Sequence, residues 1–253
     1  MRSMLGWFFS LTLLVTIGTM GHASTPEKPK LLRDVKTLVT LGDSITQMGG
    51  EPWGYVWRLQ KYLDALYPNS IGIVNAGISG HKSTDMSERF KRDVLDQKPN
   101  IVTISVGVND VWHGFYDNHP NGDGNRGIDI ETYRQKVTEM VEAAQAQGSK
   151  VVMLSTTVIY EDLNNKENEK IRGYNRALQE IAASHGCKFV NLYAAFEKAI
   201  RAYRSNAGGV ANLLTTDGVH LNEAGNQLVA HTILKGFGIS EKSLEEVKQS
   251  LRH

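Results

Sequence analysis

Five short apolar runs, each followed by a longer stretch of helical periodicity, constrain this chain more than any other feature. The runs are Lys36–Leu41, Ile71–Asn75, Ile101–Val106, Lys150–Ser155 and Lys188–Asn191. They are rich in Val, Ile, Leu or Thr and too short for helices, as expected of strands buried on both faces. Helical patterns fill the intervals at Tyr55–Leu66, Thr84–Leu95, Ile130–Gln147 and Glu167–Ser184, with more at Tyr193–Tyr203, Glu223–Leu234 and Ser243–Leu251. The third starts after Asp129, a good N-cap, and stops at Gly148, a good C-terminal breaker. Strands alternating with helices predict an α/β domain of three layers with a mostly parallel sheet. Right-handed crossovers then bring the C-terminal strand ends to one edge, where open sheets of this class bind ligands.

The N-terminus reads separately. Arg2 precedes Leu5–Met20, a run with no charge, and Gly21-His22-Ala23 supplies small residues at the −3 and −1 positions of a cleavage site. The expectation is a signal peptide over 1–23, a Pro/Lys-rich linker over 24–34 and one domain over 35–253. A span needs about 20 apolar residues, so the run predicts export to the periplasm or medium without lasting membrane insertion. Loss of Arg2 with the leader balances 27 basic against 27 acidic side chains. A near-neutral chain has no long-range pull on nucleic acid, and none is expected as a partner. Cys187 is the only cysteine, so no internal disulfide can form; it reads as a small core residue.

Four short motifs carry chemistry. The first strand runs into Gly42-Asp43-Ser44-Ile45-Thr46, which places a serine on a tight turn at the binding edge. Taken alone, Ser44 also fits an N-cap. The second strand runs into Asn75-Ala76-Gly77-Ile78-Ser79-Gly80, whose glycines let a backbone amide approach a ligand. The third runs into Gly107-Val108-Asn109-Asp110; Asn109 there is placed either to donate to an oxyanion or to hold the loop through an Asx-turn. Near the C-terminus, Asp217-Gly218-Val219-His220 sets an Asp three residues before a His, close enough to orient the imidazole from a bent loop. Asn222 follows as a cap for the next helix.

In this order and context the four motifs resemble those of the SGNH hydrolases, also called the GDSL esterase/lipase superfamily. The resemblance spans roughly Val35 to Leu234. It implies a flavodoxin-like α/β/α sandwich with a five-stranded sheet, and a serine esterase that needs no metal or cofactor. It further implies Ser44 as nucleophile, His220 as general base and Asp217 as its orienting carboxylate. The oxyanion hole would comprise the Ser44 amide, the Gly80 amide and the Asn109 side chain, with Gly77 the weaker candidate for the glycine. His81, after Gly80, departs from the small or acidic residue many members carry; a substrate contact by His81 or Lys82 is open.

The expected reaction is hydrolysis of short acyl esters, acetyl groups on carbohydrate above others. The long segment Val111–Gly127 offers Trp112, Phe115 and Tyr116 amid polar residues, suited either to a sugar surface or to packing the loop down. It has little of the Leu, Ile and Val of a long-chain acyl groove. Alternatives on the same triad are a lysophospholipase or thioesterase-type acyl hydrolase and an O-acyltransferase. Outside enzymes, the alternative is a catalytically silent carbohydrate-binding module, which would not require all five site residues. Asp117–Asp123 partly matches a calcium loop but has His119 at the third ligand position and Ile128 at the twelfth, so no metal is expected.

Overall fold

The computed structural model describes residues 26–207 and 212–251; the leader read over 1–23 lies outside the described residues. Five strands form one sheet: β1 (Thr37–Gly42), β2 (Gly72–Gly77), β3 (Ile101–Ser105), β4 (Lys150–Leu154) and β5 (Lys188–Val190). Their order is β2-β1-β3-β4-β5 and every pairing is parallel. This is the flavodoxin-like order, and the chain reverses its direction of travel between β1 and β3. The central strands β1, β3 and β4 are buried on both faces, which is why they read as continuous apolar runs. The edge strand β2 is half exposed.

Helices cover both faces. Helix α3 (Ser83–Asp93) packs on α5 (Ile130–Ala146), and α5 on α6 (Lys166–Ser184). On the opposite side α1 (Ser44–Gly49) and α8 (Glu223–Gly236) pack on α2 (Tyr55–Leu66), with α7 (Leu192–Ala207) and α9 (Glu241–Ser250) beside them. A five-residue helix, α4 (Val108–Trp112), leaves the end of β3 directly. Its last two residues open the segment Val111–Gly127 expected to be irregular; one turn and a half is too short to show periodicity. Within the stretch read as a linker, Lys30–Leu32 forms a 3-10 turn and buries Leu32 fully in the core.

The strand order decides where chemistry can occur. Gly42 at the end of β1 lies level with Gly77 at the end of β2, and β3 flanks β1 on its other side. The loop with Ser44 therefore emerges between those with Gly80 and Asn109. Among the described residues no helix is long and apolar enough to cross a membrane.

Candidate active site

The serine turn is set by Gly42 and Asp43. A Cβ on Gly42 would lie 1.9 Å from Thr46 Oγ1, so only glycine lets α1 begin directly above the strand. Asp43, 2% exposed, caps α1 by accepting the Ile45 amide at 2.9 Å. The cap is thus Asp43, not Ser44, and the Ser44 hydroxyl is left for another partner. That partner is His220: Ser44 Oγ lies 2.9 Å from its Nε2. The Ser44 amide belongs to the first turn, where N–H groups have no acceptor within the helix.

His220 is oriented from its other side. Its Nδ1 lies 2.6 Å from Asp217 Oδ2, while Asp217 Oδ1 accepts the amides of Val219 at 2.9 Å and His220 at 2.8 Å. A proton held at Nδ1 by the carboxylate leaves the Nε2 lone pair facing the serine hydroxyl. Burial pushes the Asp217 carboxyl up, but the imidazole and the two amides outweigh it and hold the group below its ordinary range.

This loop is attached to no strand of the sheet. Thr215 and Leu221 form an isolated antiparallel bridge at its base, and the Thr216 amide donates to the His220 carbonyl at 2.8 Å. The anchor is Glu161, 4% exposed, whose carboxylate accepts the amides of Leu213, Leu214 and Thr215 at 2.7, 2.8 and 3.0 Å. It also accepts the Thr215 hydroxyl at 2.9 Å. Tyr160 beside it donates its amide to the Gly218 carbonyl at 2.7 Å.

The second loop separates its two glycines. The Gly77 amide is taken by Asn75 Oδ1 at 2.9 Å, that of Ile78 by the Gly42 carbonyl, that of Ser79 by Gln47 Oε1, and that of His81 by the Ile78 carbonyl. Among the described residues the Gly80 N–H has no acceptor, and it lies in an exposed turn at φ +78°. Gly77 has a packing role instead, since a Cβ there would meet the Gln47 backbone nitrogen at 2.2 Å.

Gly107, at φ +124°, turns β3 into α4 and delivers Asn109, which is 3% exposed. Asn109 Nδ2 donates to the His81 carbonyl at 3.0 Å, a bond to a different loop rather than an Asx-turn. That contact takes one of two amide hydrogens and orients the other.

Beneath these loops Arg89 is buried. It donates to the carbonyls of Gly42 at 2.9 Å and Ala76 at 2.8 Å, to His81 Nδ1 at 3.0 Å, and pairs with Asp93 at 3.0 Å. Burial and the adjacent guanidinium lower the His81 pKa, so its imidazole stays neutral with the remaining proton on Nε2. Burial also raises two carboxyls. Asp110, which accepts the Ser83 amide and hydroxyl, is pushed to about 6. Asp43 is pushed to about 7, the charge of Asp110 adding to burial and the Ile45 bond opposing it.

The aromatic segment divides. Phe115 packs inward against Gly122, where a Cβ would touch its ring at 2.4 Å, and Tyr116 lies under the Arg126 guanidinium at 4.8 Å. Trp112 stands edge-to-face to the His220 ring at 6.5 Å and donates its indole N–H to the Tyr160 hydroxyl at 3.3 Å. In the calcium-like stretch Asp117 pairs with Arg126 at 3.5 Å, and Asp123 Oδ1 lies 3.2 Å from His119 Nδ1. Cys187 is half-buried against the core, and burial raises its thiol pKa.

Sequence reasoning did not find Glu161, Arg89, Tyr160 or Trp53, which lines a groove beside His220. Arg89 sits in Ser87-Glu88-Arg89-Phe90-Lys91-Arg92, which reads as a solvated helix face, and nothing local marks Glu161 as buried.

The model of the GDSL-like Lipase/Acylhydrolase family matches residues 40–228. An acetylxylan esterase from Geobacillus stearothermophilus is 29% identical over 218 residues, covering 79% of this chain and 93% of that protein. Esterase TesA from Pseudomonas aeruginosa is 28% identical over 188 residues, covering 73% and 79%. A crystal structure of the acetylxylan esterase Axe2 from G. stearothermophilus superposes with a TM-score of 0.71 at 27% identity, covering 81% of this chain and 95% of that one. Catalytic mutants of Axe2 replace a serine, an aspartate and a histidine, the last two three positions apart, the spacing of Asp217 and His220 here.

Proposed function

Since the chain belongs to the GDSL-like lipase/acylhydrolase family, we propose that it is an exported serine esterase that removes acetyl groups from carbohydrate. The observation that carries this reading is the unbroken hydrogen-bond chain from Ser44 through His220 to Asp217. Ser44 Oγ attacks the ester carbonyl carbon as its proton passes to His220 Nε2, and Asp217 stabilises the imidazolium. The carbonyl oxygen becomes an oxyanion that receives hydrogen bonds from the amides of Ser44 and Gly80 and from Asn109 Nδ2. Cleavage of the carbon–oxygen bond to the alcohol releases the sugar hydroxyl, which takes the proton back from His220. Water, deprotonated by the same imidazole, then attacks the acyl-enzyme; acetate leaves and Ser44 is restored.

The acetyl assignment rests on similarity to two acetylxylan esterases, the Geobacillus enzyme and AlAXEase. Export rests on the uncharged run Leu5–Met20 and the small residues before Ser24. The test is hydrolysis of p-nitrophenyl acetate, butyrate and octanoate by the protein lacking residues 1–23, with Ser44→Ala alongside. Acetate should be preferred, and Ser44→Ala should lose about 10⁴-fold or more in kcat. Equal turnover by the two proteins would remove Ser44 from the chemistry. A preference for octanoate would redirect the substrate toward lipids.

A further inference from the structure

A groove of ≈ 530 Å³ leads away from the imidazole of His220, between the turn after α1 and the start of α8. At its rim stands Trp53, 54% exposed, the most exposed large hydrophobic side chain of the described residues. Its backbone is in the left-handed region at φ +70°, a conformation that a bulky residue rarely adopts without a compensating role. The turn is closed tightly around it: Gly54 donates to the Glu51 carbonyl at 2.8 Å, and a Cβ on Gly54 would meet the Gly49 carbonyl oxygen at 2.3 Å.

The indole is braced from below. Arg58 donates Nε to the Trp53 carbonyl at 2.8 Å, pairs with Glu223 at 3.1 Å, and sets its guanidinium 5.5 Å from the indole centroid. Trp57 contacts the same ring at 5.0 Å, tilted by 49°. An aromatic plane fixed by these contacts and still open to water by more than half is poor economy for a core and well made for stacking. The groove is lined by Ile45, Met48, Pro52 and Leu221 together with Glu51, Thr216 and Glu223. The Glu51 and Glu223 carboxylates interrupt this apolar lining, which disfavours a long acyl chain and leaves acceptors for the hydroxyls of a pyranose whose C–H face lies on the indole.

We propose that Trp53 is a sugar-stacking platform: it binds, on one face of a pyranose ring, the glycan residue adjoining the scissile ester, while the exposed Glu51 meets its hydroxyls. This subsite rests on the esterase reading given above and adds to it the side on which the alcohol portion lies. The acyl group then faces away from this groove, toward Trp112 and Tyr160.

The experiment pairs two readouts. First, kcat/KM is measured on acetylated xylo-oligosaccharides, p-nitrophenyl acetate and p-nitrophenyl octanoate for wild type, Trp53→Ala and Trp53→Phe, with thermal melts to verify folding. Second, acetylated xylo-oligosaccharides are titrated into Ser44→Ala and Ser44→Ala/Trp53→Ala by calorimetry, which needs no turnover. The platform predicts that Trp53→Ala loses about tenfold more on the oligosaccharide than on p-nitrophenyl acetate, that Trp53→Phe recovers most of the difference, and that the dissociation constant weakens by about the same factor. Equal losses on both acetyl substrates with unchanged binding would overturn the platform and leave the esterase intact. A loss concentrated on octanoate would also overturn it, making the groove an acyl channel. If wild type hydrolyses none of these esters, the esterase reading fails, and the titration alone decides whether Trp53 binds sugar.

Discussion

The two halves of the site are held in place by different physics. Ser44, Gly80 and Asn109 stand on loops that leave the ends of three adjacent strands, so their separation is set by sheet register and by the Arg89 guanidinium beneath them. Asp217 and His220 stand on a loop that continues no strand and is held by the Glu161 carboxylate, by the Tyr160 amide on the Gly218 carbonyl and by the Thr215–Leu221 bridge. The first half is rigid because the whole core would have to move to change it. The second is fixed chiefly by hydrogen bonds, and those accepted by Glu161 are removable by one substitution. Ser44, Gly80 and Asn109, the proposed nucleophile and oxyanion donors, are therefore structural fixtures, and His220, the proposed base, is the adjustable part.

The sharpest test of the fixed half is Asn109→Ala. The proposal that Asn109 donates to the oxyanion predicts a loss of about 10²–10³ in kcat on its removal. Because register positions its neighbours, the loss should fall on kcat rather than KM. Stopped-flow measurement with p-nitrophenyl acetate separates acylation from deacylation, and both steps should slow, since each passes through an oxyanion. A slowing of acylation alone would mean that Asn109 acts by supporting the His81 carbonyl instead.

The same contrast explains what the sequence could tell. Strands buried on both faces announce themselves as runs such as Ile101–Val106, and their alternation with helices is enough to imply a parallel sheet. The motifs after those strands were readable because a residue at a strand end is placed by the strand itself. Helix α4 was not, because five residues after a glycine have no period to detect. Glu161 was not, because the amides it accepts lie 52 residues or more away; Arg89 was not, because only the fold brings the Gly42 carbonyl, 47 residues away, and the Ala76 carbonyl to it. A buried carboxylate is invisible until its distant donors are known. Even the choice between Gly77 and Gly80 turned on whether an Asn75 side chain folds back onto its own loop.

A middle-sized effect should come from the anchor of the adjustable half. In Glu161→Gln one carboxylate oxygen becomes an NH₂ that opposes the Leu213 or Leu214 amide, leaving a buried donor without an acceptor, at about 1–3 kcal/mol. The base loop should loosen, lowering kcat by roughly tenfold, the rate equivalent of 1.4 kcal/mol. Hydrogen exchange is the deciding measurement: amides of 213–220 should exchange faster while those of 77–81 stay as in wild type. Uniform acceleration across both segments would show that the halves are one cooperative unit and dissolve the contrast.

The smallest effects concern pH and have opposite signs in the two halves. Asp43 is raised from the ordinary 3.8 to about 7, so the native state retains a proton that the unfolded chain has lost across that window. Stability from this group is full at acid pH and declines as pH rises from about 4 to about 7. Asp217 is depressed, so its contribution is present above the ordinary carboxyl range and is lost only as pH falls through and below it. Asp43→Asn can still accept the Ile45 amide and never ionises. Its melting temperature should exceed that of wild type at pH 8 by a few degrees, about 2–4 °C for each kcal/mol relieved, and the gain should shrink toward pH 4. Asp217→Asn should instead melt lower than wild type at pH 7, with the difference shrinking only as pH falls below the ordinary carboxyl range, where the wild-type carboxyl takes up its proton. Parallel melting curves for the two variants, displaced in the same direction at every pH, would mean that both carboxylates share one environment. The distinction between a buried strand-end acid and a loop acid held by hydrogen bonds would then have no energetic content.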